Sequence, residues 1–212
     1  MKWFSNACKT LVIGGLLVST TVFSAVVDRD YVLVVPPRPT DSGKKVEIVE
    51  VFSYACPHCN TLAPMIEPWA KKLPSNVVFK RIPVSFGRPQ WALLAKTYYA
   101  LDAINEADRL HEKIFAALHT ERINLNSQDV LFDWLEKQGV NRQKFMDAFN
   151  SFSVQSRVQR GDQKAMEYGV DAVPTVIIDG KFRTSPSMAG GNGALFPVMN
   201  DLIKQTLKAR GL

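Results

Sequence analysis

Cysteine is scarce in this chain: its 212 residues hold three, Cys8, Cys56 and Cys59. That excludes a small domain held together by several disulfides. Histidine is equally scarce, also at three. A structural zinc centre takes four ligands, commonly from a second Cys or His pair, and no such pair accompanies Cys56 and Cys59. His111 and His119 lie far along the chain and eight residues apart, so no metal site is expected. Long apolar runs, internal repeats and low-complexity segments are missing as well. The formal charge is +6, from 26 Lys+Arg against 20 Asp+Glu. The basic residues are scattered among acids without a nucleic-acid motif, so a nucleic-acid partner is not expected.

Residues 1–24 read as a secretory signal. Lys2 and Lys9 supply positive charge, Leu11 to Val18 an apolar stretch, and Val22-Phe23-Ser24 an end where cleavage near Ser24/Ala25 is expected. The apolar part falls short of the ~20 residues that a membrane-spanning helix needs. Cys8 precedes it, so no lipid-attachment box is present. Removing 24 residues from the 212 leaves 188, with Cys56 and Cys59 as the only cysteines, and lowers the formal charge from +6 to +4. A chain of this length holds one domain, or one domain carrying an insertion.

Periodicity predicts a strand at Tyr31 to Val35, ended by Pro36-Pro37, and a second at Val46 to Tyr54. The latter is apolar apart from Glu47 and Glu50, which predicts burial on both faces. A helix follows over Asn60 to Leu73, with Pro64 and Pro68 inside it, so a kink or break after its first turn is expected. Val77 to Val84 reads as a third strand. Four helices are then expected, at Pro89 to Asn105, Asp108 to His119, Ser127 to Gln138 with Ser127 as cap, and Asn141 to Asn150. A polar helix at Ser153 to Tyr168 leads to a hairpin, Thr175 to Ile178 and Phe182 to Thr184, turning at Asp179-Gly180. Pro186 to Gly193 reads as a mobile loop, and Leu195 to Ala209 as a closing amphipathic helix.

Cys56-Pro57-His58-Cys59 stands between the second strand and the helix after it. As a structural staple the pair is poorly placed. Closing a four-residue ring gains only ~2 kcal/mol of loop entropy, against ~3 for fifteen residues. As a redox pair it is well placed. A thiol at a helix start meets unpaired backbone N–H groups and the positive end of the macrodipole, which stabilise the reactive thiolate. The second thiol, one turn on, can resolve a mixed disulfide formed by the first.

A strand leading into Cys-x-x-Cys on a helix, with Val173-Pro174-Thr175 before a later hairpin, resembles the thioredoxin fold. Pro64, five residues past Cys59, matches a proline common in thioredoxins. The Pro57-His58 dipeptide, the intervening helical block and the export signal resemble the DsbA family of bacterial periplasmic thiol:disulfide interchange proteins. The expected architecture is an α/β thioredoxin-like domain, residues 25–86 and 155–212, interrupted by an inserted helical domain, residues 87–154. The resemblance implies that Cys56 is the exposed nucleophile, that Cys59 is buried and resolving, and that His58, beside Pro57, stabilises the Cys56 thiolate. It also implies a cis Val173-Pro174 bond presenting the Val173 backbone to an extended substrate. Without the cysteines, Pro174 would read as the start of a strand.

Glu50, six residues before Cys56, either lies beneath the disulfide or reaches solvent at the strand end. The family has an acid at the matching place, often near a lysine of the following strand, and Lys80 is the matching candidate. Such a buried carboxylate could relay the Cys59 proton. One departure is visible: well-known enteric members carry an acidic pair where this chain has Ala63-Pro64.

The expected activity is donation of the Cys56–Cys59 disulfide to cysteine pairs of newly exported polypeptides in the periplasm. The resemblance implies a monomer that needs no cofactor and is reoxidised by an inner-membrane DsbB-like protein. Two rivals remain open. One is a periplasmic dithiol reductase or isomerase of the same fold; the other is a non-catalytic peptide-binding holdase.

Overall fold

A computed structural model describes residues 24–212. All but the last residue of the signal segment therefore lies outside the described residues. A five-stranded sheet organises the chain, in the order β1-β5-β4-β2-β3. Its strands are β1 (Val32–Leu33), β2 (Val46–Phe52), β3 (Val77–Pro83), β4 (Thr175–Ile178) and β5 (Phe182–Thr184). β2 runs parallel to β3 and antiparallel to β4, and β4 and β5 form the expected hairpin. All seven residues of β2 are buried, Glu47 and Glu50 included, as its near-continuous apolar pattern requires of a central strand. β1 is shorter than its sequence pattern suggests: Pro36 and Pro37 offer no N–H to a ladder, and Val35 is 80% exposed.

Helix α1 (Pro57–Ala70) starts at Cys56, with Pro57 in its first turn, where a missing N–H costs nothing. It runs on through Pro64 and Pro68, so of the kink or break expected there the break does not occur. Each proline removes one backbone bond, while Leu62, Ala63 and Ile66 are buried and keep the helix packed. Strand alternation then sorts the two sheet faces. Val46 and Ile48 pack with Leu62 and Ile66 on one face. Val49 and Val51 pack with Ala165 and Tyr168 on the other.

Helices α2 (Pro89–Ala103), α3 (Ala107–His119), α4 (Gln128–Lys137) and α5 (Arg142–Phe149) follow β3. Their core includes Phe145 and Phe149, which meet Phe132 nearly edge-on at 5.2 and 5.3 Å. Asn141 and Ser151 cap α5 and α6 (Phe152–Glu167) by accepting from backbone N–H groups. Ser127 stands at the start of α4 but makes no such bond, so its expected capping role fails. Residue 161 of α6 is glycine because a Cβ there would come within 2.7 Å of the Tyr99 hydroxyl and 3.2 Å of the Pro83 carbonyl.

The segment expected as a mobile loop is instead structured. Ser185 caps the short helix α7 (Pro186–Ala189), Gly190 ends it in a left-handed conformation, and α8 (Asn192–Ala209) starts three residues earlier than its apolar pattern indicates.

Candidate active site

The chain leaves β2 at Phe52 and enters α1 at Cys56, so Ser53 to Ala55 form a tight connection. Cys56 N–H donates to the Ser53 carbonyl at 3.1 Å, which sets the sulfur at the helix start. Among the described residues Cys56 and Cys59 are both free thiols. Cys56 is 6% exposed and Cys59 fully buried. The nucleophile is thus more covered than the resemblance implies, because the Val173 segment lies against it: Cys56 Sγ is 3.3 Å from the Val173 carbonyl oxygen. Val173-Pro174 is cis, as the resemblance implies.

The two thiols differ sharply in acidity. The Cys56 thiol is lowered to about 6, chiefly by a hydrogen bond from the Cys59 thiol. Partial burial opposes this, while the backbone N–H groups of Cys59 and His58 and the charge of His58 add to it. Pro57 and His58 are exposed, so the imidazole acts from the rim of the site. Cys59 is pushed well up by burial, and the adjacent Cys56 adds to the shift. One sulfur is therefore a thiolate near neutral pH and the other keeps its proton.

Beneath them lies Glu50, 2% exposed, on the face of β2 that meets α1. Burial raises its pKa, and the Arg81 guanidinium opposes that rise. Arg81 Nε donates to Glu50 Oε2 at 3.0 Å, and its Nη2 reaches Glu67 of α1. The expectation for Lys80 fails: Lys80 Nζ lies 2.6 Å from Glu47 Oε2. The reason is parity. Residues 80 and 81 point to opposite faces, and the parallel register sets Arg81 beside Glu50.

Arg81 and Glu67 are the site residues that sequence reasoning missed. Glu67 could have been found by helical spacing, since it lies one turn past Ala63 on the same side of α1. An acid thus reaches the site even though the acidic pair at 63–64 is missing.

A groove of about 630 Å³ opens beside the sulfurs, lined among others by His58, Val173, Pro174, Ser185 and Met188. A strand-exit dithiol with split acidities, set against a cis-proline segment on this sheet, defines a thioredoxin-fold thiol:disulfide oxidoreductase.

Comparison with known proteins narrows the class. The family model for the DSBA-like thioredoxin domain matches residues 47–200. The chain is 40% identical to the thiol:disulfide interchange protein DsbA of Bordetella parapertussis, over 96% of this chain and 99% of that protein. It is 38% identical to DsbA of Burkholderia cepacia, over 84% of each. The crystal structure of Pseudomonas aeruginosa DsbA superposes with a TM-score of 0.84 at 32% identity, covering 89% of this chain and 97% of that one. The chain belongs to the DsbA family and is an enzyme of thiol–disulfide exchange.

Proposed function

We propose that the protein is exported to the periplasm, with cleavage near Ser24/Ala25, and there oxidises cysteine pairs of newly exported polypeptides. What carries this reading is the placement of Cys56 at the start of α1 against the cis Val173-Pro174 segment, where its thiol is lowered to about 6. A stabilised thiolate favours the reduced form, so the oxidised form gives up its disulfide readily.

A substrate thiolate attacks Cys56 Sγ, the Cys56–Cys59 bond breaks, and Cys59 leaves, taking up a proton. A second substrate thiolate then attacks the substrate sulfur of the mixed disulfide and releases Cys56 as a thiolate. Two electrons have passed from the substrate to the protein. The exposed Pro57 and His58 face incoming chains, and the Val173 backbone offers an edge on which an extended segment can pair. Glu50, whose pKa burial raises, is suited to deliver the Cys59 proton and to take it back on reoxidation. The chain acts as a monomer without a bound cofactor, and a DsbB-like membrane protein returns its disulfide.

Trapping free thiols in growing cells tests this reading. The protein should be found mostly oxidised, and Cys56→Ala should abolish client oxidation. A mostly reduced protein would instead mark a reductase or isomerase, and full function in Cys56→Ala a holdase.

A further inference from the structure

Tyr54, two residues before the nucleophile, is held at both ends by one helix. Its hydroxyl lies 3.0 Å from His111 Nδ1, and its carbonyl oxygen lies 2.7 Å from His119 Nε2. Both imidazoles stand on α3, eight residues apart. That separation is a helix rise of about 12 Å, enough to span a tyrosine from its backbone to its hydroxyl. The helix therefore fixes two independent features of one residue, the direction of its ring and the tilt of its peptide plane.

The same peptide is held from its other side, because Ala55 N–H donates to the Ser53 hydroxyl at 3.2 Å. The next N–H, that of Cys56, donates to the Ser53 carbonyl. The His119 contact and the two bonds to Ser53 thus bracket the backbone from Tyr54 to Cys56. The Cys56 sulfur, at the end of that chain of contacts, lies against the Val173 carbonyl and the first N–H groups of α1.

Packing alone does not account for His111. It is 1% exposed and stands edge-on to Phe52 and Phe115 at 5.1 and 5.2 Å. Its Nε2 has no hydrogen-bond partner among the described residues. A phenylalanine would fill an aromatic cluster without leaving a buried polar atom unsatisfied. What the imidazole adds is its bond to Tyr54.

We propose that His111 and His119 are positioning residues for the thiol–disulfide reaction, holding Tyr54 at its hydroxyl and its carbonyl so that the Ser53–Cys56 turn aims the Cys56 sulfur. The helical block then tunes the nucleophile as well as covering it. This rests on the oxidoreductase reading of the dithiol, so exchange by the unaltered protein is measured first; its failure would overturn that reading and not this one.

The test compares His119→Leu, which keeps bulk and removes the donor, with His119→Gln, whose amide N–H can replace Nε2. Thiolate absorbance against pH is followed alongside thermal unfolding. His119→Leu should weaken the acid dissociation of Cys56 about three- to tenfold, the worth of one net hydrogen bond, and His119→Gln should restore it to within about twofold. A His119→Leu protein that unfolds at lower temperature but titrates as before would overturn the proposal. Should His119→Leu not fold, Tyr54→Phe removes only the His111 contact. It should move the same midpoint upward, and an unmoved midpoint is equally fatal.

Discussion

Glu50 and Arg81 meet at 3.0 Å inside the protein, with 2% and 7% of their side chains exposed. Parallel register between β2 and β3 creates the contact, and Glu67 takes a second edge of the guanidinium. Neither charge of such a pair tolerates loss of the other.

Arg81→Met should therefore lower the unfolding free energy by about 3–5 kcal/mol, measured by denaturant titration near neutral pH. The loss should shrink in acid, where Glu50 is protonated. Lys80→Met touches the opposite face and should leave the Cys56 titration unchanged.

Glu50→Gln keeps the shape of the buried side chain and removes its proton exchange. Formation of the mixed disulfide at Cys56, the step in which Cys59 leaves and takes up its proton, should slow, and its rate should lose the part of its pH dependence that Glu50 supplies. Single-turnover kinetics with a dithiol peptide measures both.

His58→Ser keeps the backbone N–H at position 58 and removes the imidazole charge. The Cys56 midpoint should rise from about 6 toward the ~8.5 of a free cysteine, without reaching it, since the Cys59 thiol and two N–H groups still act on the sulfur. Absorbance of the thiolate against pH reads this directly.

Stability should depend on redox state and pH together. The Cys56 thiol in the folded reduced protein sits at about 6, below its unfolded value of ~8.5. Its contribution is therefore fully present above ~8.5 and is lost as pH falls through about 6. The oxidised protein has no thiolate and lacks this dependence. The stability of the reduced form relative to the oxidised form should rise across that window, be flat below it, and fall above it, where the buried Cys59 thiol ionises only in the unfolded chain, as parallel unfolding series would show.

The architecture was largely legible because each element carries its own period. β2 reads as buried on both faces, and α4 and α5 show aromatic and aliphatic residues at three- to four-residue spacing. Cys56 and Cys59 could be assigned from adjacency to a strand and a helix. What escaped depends on neighbours distant in sequence. Arg81 could be told from Lys80 only through the register of β2 against β3, which no local pattern encodes. The idle Ser127 hydroxyl and the single turn of α7 are likewise decided by local backbone geometry, and serines occur in caps and loops alike. Tyr54 read as the end of a strand because its aromatic ring fits that pattern, whereas His111 and His119 hold it outside the ladder.

The central claim, that this dithiol accepts electrons from its substrates, is tested most directly by its reduction potential, measured by equilibration with glutathione at pH 7. The account predicts a couple more oxidising than about −200 mV, so that glutathione reduces it readily. A value below that, toward the about −270 mV of a thioredoxin, would contradict the account and make the protein a reductant.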